Sequence, residues 1–169
     1  MRLHGSITMN GREYASGDDI PWTSVYPFFL LHMLGFGGSA FLMAYSGGVP
    51  VEILYLQGGI ALLVYTVFYL TIFGRDEVKW MFINAGLGLF GIYSQISWLL
   101  SLFGRRAVDY PAYVHVIPFL YYVLYTFLLR HAVIDFLGAR EDDTRRRRVE
   151  YGYIGASVVV YALAHFLEG

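Results

Sequence analysis

The chain has 169 residues, the size of one domain, so a soluble catalytic domain beside a membrane bundle is not expected within it. Apolar residues make up 57% and charged residues 15%, whereas soluble domains average roughly 45–50% and 25%. The composition therefore predicts an integral membrane protein. The formal net charge of −1 is uninformative by itself, because the distribution of charge along the chain matters more, and no nucleic-acid partner is expected. The absence of cysteine excludes disulfides, thiolate nucleophiles and cysteine-ligated metal sites from this chain.

The first predicted element is a β-hairpin in the polar N-terminal tail, residues 1–24. Asn10 and Gly11 stand between two short runs of strand-forming residues, and both tolerate the positive φ that a tight hairpin turn requires. Two strands alone are only marginally stable. We therefore expect this hairpin to lie against the membrane surface or against a partner.

Residues 25–169 are predicted to form an all-α, polytopic transmembrane helix bundle of about five spans. A span needs about 20 residues to cross about 30 Å of hydrocarbon. Pro111 suits the first turn of the fourth span, where its missing N–H has no intrahelical partner in any case. The fifth apolar run is short, so four spans are the alternative. The predicted spans are 25–45, 53–73, 80–103, 110–137 and 151–167.

The basic residues predict how the bundle is oriented. If the N-terminus is cytoplasmic, ten of the 12 Lys and Arg residues lie on the cytoplasmic side, in agreement with the excess of basic residues in cytoplasmic loops. We expect a multi-pass protein of the bacterial cytoplasmic (inner) membrane, with its C-terminus outside. One run of arginines is expected to fix this topology and to lie near anionic lipid, although neighbouring acids neutralise much of its charge. It consists of Arg145, Arg146, Arg147 and Arg148.

Four histidines within the spans are candidate cofactor ligands. In the predicted topology they form an inner pair, His32 and His131, and an outer pair, His115 and His165. Two imidazoles on opposite faces of the iron hold b-type haem, and Asp135, one turn beyond His131, could orient that ring. The alternative is that these histidines hydrogen-bond neighbouring helices or lie at headgroup level. No other metal site is predicted.

Uncharged polar side chains within the spans form a second candidate group. Gln95 lies near the bilayer centre and, with Ser94, could line a polar path or hold a quinone carbonyl. Such groups more often join helices by hydrogen bonds. The absence of a mid-span carboxylate disfavours proton-driven transport. The predicted polar pocket comprises Gln57, Asn84, Ser94, Gln95 and Ser97.

Small and aromatic residues give two further expectations. Gly35 and Ser39, like Gly152 and Ala156, have the small-xxx-small spacing that lets helix backbones approach closely, and we expect both pairs to pack inside the bundle. Three mid-span tyrosines share one side of the fourth span and need hydrogen-bond acceptors from a ligand, a helix or a partner. They are Tyr121, Tyr122 and Tyr125.

The sequence contains no recognisable catalytic constellation, so an enzyme is not the favoured interpretation. The leading hypothesis is a non-catalytic accessory or scaffolding subunit of a larger inner-membrane protein complex, in contact with lipid and with other membrane subunits. It is favoured by the small size, the hairpin and the excess of mid-span tyrosine. Two alternatives remain: a haem-binding, quinone-linked electron-transfer subunit, and a channel or carrier for a small neutral solute, lined by Gln57, Gln95 and Ser97.

Overall fold

The computed structural model consists of helices and one small hairpin, as predicted. It describes residues 1–9 and 11–167, and the side chains of these apart from 87, 160, 161 and 163–167. Two short 3₁₀ helices, Ala107–Asp109 and Ala112–His115, precede the fifth α-helix. The remaining elements are β1 (Ile7–Met9), β2 (Arg12–Tyr14), α1 (Trp22–Tyr45), α2 (Val51–Phe73), α3 (Arg75–Leu87), α4 (Leu89–Ser101), α5 (Val116–Phe136) and α6 (Asp143–Leu167).

Three helical segments in the described part of the chain are long and apolar enough to cross a membrane. They are α1, α2 and the segment Ala112–Phe136, with mean hydropathies of 1.5, 1.8 and 1.6. Their outer surfaces carry large apolar side chains such as Leu31 and Leu63, which are 70% and 66% exposed. Such a surface is unfavourable in water and suits hydrocarbon. The chain is therefore built as a membrane protein.

Helix α5 is the centre of the bundle, since each of the other α-helices packs against it. Tyr69 of α2 is fully buried there, and its hydroxyl donates to the carbonyl of Leu124 at 2.9 Å. The same hydroxyl lies 3.0 Å from the sulfur of Met33. One side chain thus joins α1, α2 and α5 in a region where no water is available to satisfy it.

The third predicted span is not one helix. Gly88, at φ −90° and ψ 9°, separates α3 from α4, and each of these helices has 13 residues. The amides of Gly88 and Ile92 still bond to the carbonyls four residues back, so the interruption is a local kink. Glycine is a weak helix former, which makes it the natural place for the break. The prediction of a continuous helix over 80–103 was wrong.

The predicted bounds of the last two spans also differ from the structure. Pro111 begins a 3₁₀ turn, and α5 itself starts at Val116 rather than at residue 110. Helix α6 starts eight residues before the predicted span, because Asp142 caps it. The backbone N–H groups of Thr144 and Arg145 donate to the Asp142 carboxylate at 2.9 and 3.1 Å. The arginine run therefore belongs to a helix and not to a loop.

The predicted hairpin is confirmed. Ile7 lies opposite Tyr14 in an antiparallel pair, and the turn uses Gly11 at φ +74°, a conformation that glycine adopts without strain. Asn10, the other predicted turn residue, lies outside the described residues. The two strands have three residues each, so the pair depends on contacts elsewhere.

Those contacts come from the chain's own bundle. Apolar side chains of the hairpin, Ile7, Met9 and Tyr14, pack against the core. Just before the hairpin, the backbone N–H of His4 donates to the carbonyl of Thr71 near the end of α2, at 2.9 Å. The hairpin therefore rests on the end of the bundle where α1, α3 and α6 begin and α2 and α5 end, which we call the charged end.

Candidate functional site

Asp135 is the anchor of an ion pair at the charged end. It accepts hydrogen bonds from Tyr26 of α1 and from the Arg140 guanidinium, at 2.8 Å to one guanidinium nitrogen. Burial opposes the charge of Arg140, but the hydrogen bonds and charges of Asp135 and Tyr26 raise its pKa above the usual range. The sequence suggested that Asp135 orients His131. Instead, among the described residues, its partners are a cation and a phenol, which bind a carboxylate more strongly.

His131 is buried one turn before this ion pair, with 3% of its surface exposed. Its Nδ1–H donates to the carbonyl of Phe127 at 3.0 Å, which leaves the other ring nitrogen directed towards Glu77 of α3, 3.8 Å away. The rings of Phe73 and Phe127 pack against the imidazole. His131 thus places a titratable group between an apolar core and an acidic side chain.

Two carboxylates fasten α6 to the bundle. Arg146 of α6 binds Glu77 of α3 at 3.3 Å and Glu150 at 3.2 Å, and Arg130 of α5 binds Glu150 at 2.5 Å. Burial favours the neutral acid, but the two arginines outweigh it and lower the pKa of Glu150. The guanidinium of Arg146 is therefore already bound by carboxylates of the same chain. The other three members of the run are exposed: Arg145, Arg147 and Arg148.

His115 lies at the opposite end of the bundle, where its ring is hydrogen-bonded within the chain. Its Nε2–H donates to the carbonyl of Ala107 at 3.2 Å, so its Nδ1 accepts from the hydroxyl of Tyr45 at 2.7 Å. Tyr110 donates to the carbonyl of Tyr45 at 2.9 Å. These bonds hold the 3₁₀ segment against the end of α1, and they engage both ring nitrogens of His115.

The predicted inner pair of histidines, His32 and His131, is not brought together in the structure. His32 lies exposed on α1, where its Nδ1–H donates to the carbonyl of Phe28 at 3.0 Å and its ring lies on the Phe28 ring. His131 instead faces the interior. The side chain of His165 lies outside the described residues. Within those described, no three His, Asp or Glu side chains are grouped as metal ligands.

Two of the predicted polar residues, Asn84 and Gln95, line one cavity of about 310 Å³, which we call the amide cavity. It lies against α5, between the kinked α3–α4 helix and α6. Gly88 and Gly91 stand between the two amides, and the 4-3-4 spacing places all four on one helix face. The polar pocket predicted from the sequence did not include the polar groups that α5 and α6 contribute. They are Tyr122, Thr126, Arg130, Tyr153 and Ser157.

The other predicted polar residues lie elsewhere. Gln57 is exposed on α2, and Ser94 and Ser97 are half-buried on α4. None of the three lines the amide cavity. The path suggested for a solute carrier, from Gln57 to Gln95 and Ser97, is therefore not assembled by the described side chains.

The three tyrosines singled out on the fourth span line a second groove, of about 200 Å³, against α1. The close approach depends on Gly37, since a Cβ there would lie 3.2 Å from the Tyr121 ring. Among the described side chains, the Tyr121 hydroxyl is the one buried polar atom without a hydrogen-bond partner. Among the described residues, none of the three tyrosine hydroxyls has a hydrogen-bond acceptor, and that of Tyr121 is the buried one.

The two small-xxx-small pairs face outward. Gly35, Gly152 and Ala156 are exposed, and a Cβ at either glycine would meet nothing within 4 Å. Ser39 is half-buried on the same side of α1 as Gly35. The expectation that these pairs pack inside the bundle was wrong. The glycines that contact α5 side chains are Gly37 and Gly58.

Comparison of the chain with protein-family models, with curated proteins and with solved structures found no match. The function is therefore argued from the geometry of these residues.

Proposed function

We propose that this protein is a non-catalytic accessory or scaffolding subunit that assembles with other transmembrane helices in a larger complex of the bacterial inner membrane. The observation that carries the proposal is the α1 outer face, the stripe of Phe28, His32, Gly35, Ser39 and Leu42. A small-xxx-small pair and a histidine share this face, and they face away from the chain's own helices.

His32 supplies the energetic reason for a partner. It lies seven residues into the predicted span 25–45, about 10 Å along the helix axis and so about a third of the way into the hydrocarbon. Its Nδ1–H is bound to its own helix, and no described residue bonds to its Nε2. An unsatisfied polar atom in hydrocarbon costs several kcal/mol. A donor on a neighbouring helix would remove that cost.

Gly35 and Ser39 leave space on α1 for a neighbouring helix. A Cβ at Gly35 meets nothing within 4 Å, so another helix can approach this backbone closely. Gly152 and Ala156 repeat the arrangement on the exposed surface of α6. Two separate faces of this kind would let one chain contact two neighbours, as a scaffolding subunit must.

The proposal includes a topology of five spans. Helix α1, helix α2, the kinked α3–α4 helix, α5 and the apolar part of α6 each cross the bilayer. The charged end, with ten of the 12 Lys and Arg residues, lies on the cytoplasmic side, as the bias of basic residues supports.

Purification from native membranes tests the assembly. In mild detergent we expect the wild-type chain to elute with other membrane chains in a fixed ratio. Gly35→Leu should lose them and keep its melting temperature, because the position faces open space. Gly59→Leu is the matched control, since that glycine also meets nothing within 4 Å but lies on α2. A wild-type protein that elutes as a stable single chain would overturn the proposal.

A further inference from the structure

We propose that the amide cavity is a binding site for a lipid-soluble quinone, a planar ring with two carbonyl acceptors that enters from the bilayer. The inference stands apart from the proposed assembly, because it concerns a cavity within one chain, but it rests on the proposed five-span topology, which places the cavity in the bilayer. The sequence pointed to Gln95 as a possible partner of a quinone carbonyl, and the structure surrounds that residue with the groups described below.

The way into the cavity is lateral. Helix α6 and the α3–α4 helix both pack on α5, and the cavity occupies the space left between them. Residues on both sides of this gap, Asn84 and Gly91 on one helix and Ser157 on the other, are exposed on the bundle surface. A ligand therefore reaches the cavity through the hydrocarbon, so it must be soluble in lipid.

Two carboxamides in the cavity need partners. Among the described residues, the side chains of Asn84 and Gln95 make no hydrogen bond, and each carries two N–H donors and a carbonyl. Polar groups left without partners in hydrocarbon are costly. Carbonyl oxygens of a ligand would accept from these donors, whereas an acyl chain would leave them unsatisfied.

The wall between the amides is flat. Gly88 and Gly91 present backbone where any other residue would present a side chain, and a Cβ at Gly91 would meet nothing within 4 Å. The rings of Tyr122 and Tyr153 stand on the α5 and α6 sides. The cavity volume of about 310 Å³ falls at the small end of ligand pockets, which run from about 300 to 1,000 Å³. A planar ring fits this shape.

The charged side chains that line the cavity do not favour a cationic ligand. No Asp or Glu is among the described residues that line the cavity, and its one charged side chain is Arg130. Glu150 already binds one guanidinium nitrogen of Arg130 at 2.5 Å. The lining thus offers N–H donors to a neutral acceptor and no carboxylate to an amine or a metal ion. This is the chemistry of a carbonyl-bearing ring.

Binding is tested on the single chain in phosphatidylcholine nanodiscs, with decylubiquinone as the probe. We expect saturable retention of about one quinone per chain above that of empty discs, and a melting temperature that rises with quinone concentration. Gly91→Phe fills the cavity and should weaken binding about tenfold or more, with the unliganded melting temperature retained. Gln95→Leu should also weaken it. Gly59→Phe, on α2, is the control and should bind like wild type.

Retention no greater than in empty discs would overturn the proposal, as would equal binding by the wild type and Gly91→Phe. Equal displacement by oleic acid and by decylubiquinone would also overturn it, because an acyl-chain site does not need the amides. Since each disc holds one chain, none of these results depends on whether the protein assembles with partners in its native membrane.

Discussion

Two adjacent glycines on α2 differ in what surrounds them. Gly58 lies buried where α2 crosses α5, and a Cβ there would approach the Cγ2 of Ile117 to 2.5 Å. That methyl belongs to a β-branched side chain with little rotamer freedom. At Gly59 a Cβ would meet nothing within 4 Å. The crossing of α2 and α5 therefore requires glycine at one position and not at the next.

We expect Gly58→Ala to lower the free energy of unfolding by about 1–3 kcal/mol, the usual cost of overpacking a tight contact. Gly59→Ala should instead stabilise by up to about 1 kcal/mol, because alanine is the better helix former. Thermal unfolding in one detergent, followed by circular dichroism, measures both. Each variant is the other's control, since the helix and the chemical change are the same. Equal melting temperatures would contradict the described packing of α2 on α5.

At the scale of residues, the sequence identified polar groups but not their partners. Asn84 and Gln95 were recognised because a carboxamide is conspicuous within an apolar run. Tyr153 and Ser157 were not, since their importance depends on how α6 lies against α5, which no local pattern encodes. Asp135 was assigned to the histidine one turn away, whereas the structure pairs it with a more strongly bound cation beyond the helix end.

At the scale of elements, apolar runs located α1 and α2 because each is bounded by turn residues and has no competing pattern. Hydropathy could not show the break at Gly88, since it averages over a window and is insensitive to helix continuity. It also missed the start of α6, where charged residues looked like a loop. A single cap at Asp142 and ion pairs to two other helices make that charged segment helical.

The attachment of α6 should depend on pH through Glu150. Arg130 and Arg146 lower its pKa despite its partial burial. A carboxylate with a lowered pKa stabilises the folded arrangement above its unfolded pKa, and this contribution is lost as pH falls through the folded value. We expect α6 to stay docked at neutral pH and to loosen only below about pH 4, the usual range of Glu.

The distance between α3 and α6 reports this change. The chain has no cysteine, so spin labels on Lys79→Cys and Thr144→Cys, both exposed, give one distance by pulsed electron paramagnetic resonance. It should lengthen on acidification. In Glu150→Gln this distance should already be longer at pH 7 and should change less on acidification. Glu141→Gln, at an exposed site, should behave like wild type. A distance unaffected by pH and by Glu150→Gln would contradict the role of this carboxylate.

At the scale of the whole molecule, the other helices are arranged around α5, which lies at the centre of the bundle. The sequence could predict a membrane bundle, because composition alone requires hydrocarbon around it. It could not predict which helix lies in the middle, since α1, α2 and α5 are similarly apolar. The amide cavity follows from this arrangement, because only a shared central helix leaves a gap between α6 and the α3–α4 helix.

The number of spans decides whether that cavity lies within the bilayer. Five spans with the charged end inside place Ser46, after α1, outside the cell, Glu141 inside, and the C-terminus outside. Single cysteines at Ser46→Cys, at Glu141→Cys and after Gly169 can be labelled one at a time, because the natural chain has none. A membrane-impermeant maleimide on intact cells should label the first and third, and Glu141→Cys only after the membrane is opened. Labelling of the C-terminal cysteine only after the membrane is opened, as for Glu141→Cys, would place α6 on the membrane surface. Tyr153 and Ser157 would then leave the wall of the amide cavity, and the quinone site would lose the helix that encloses it.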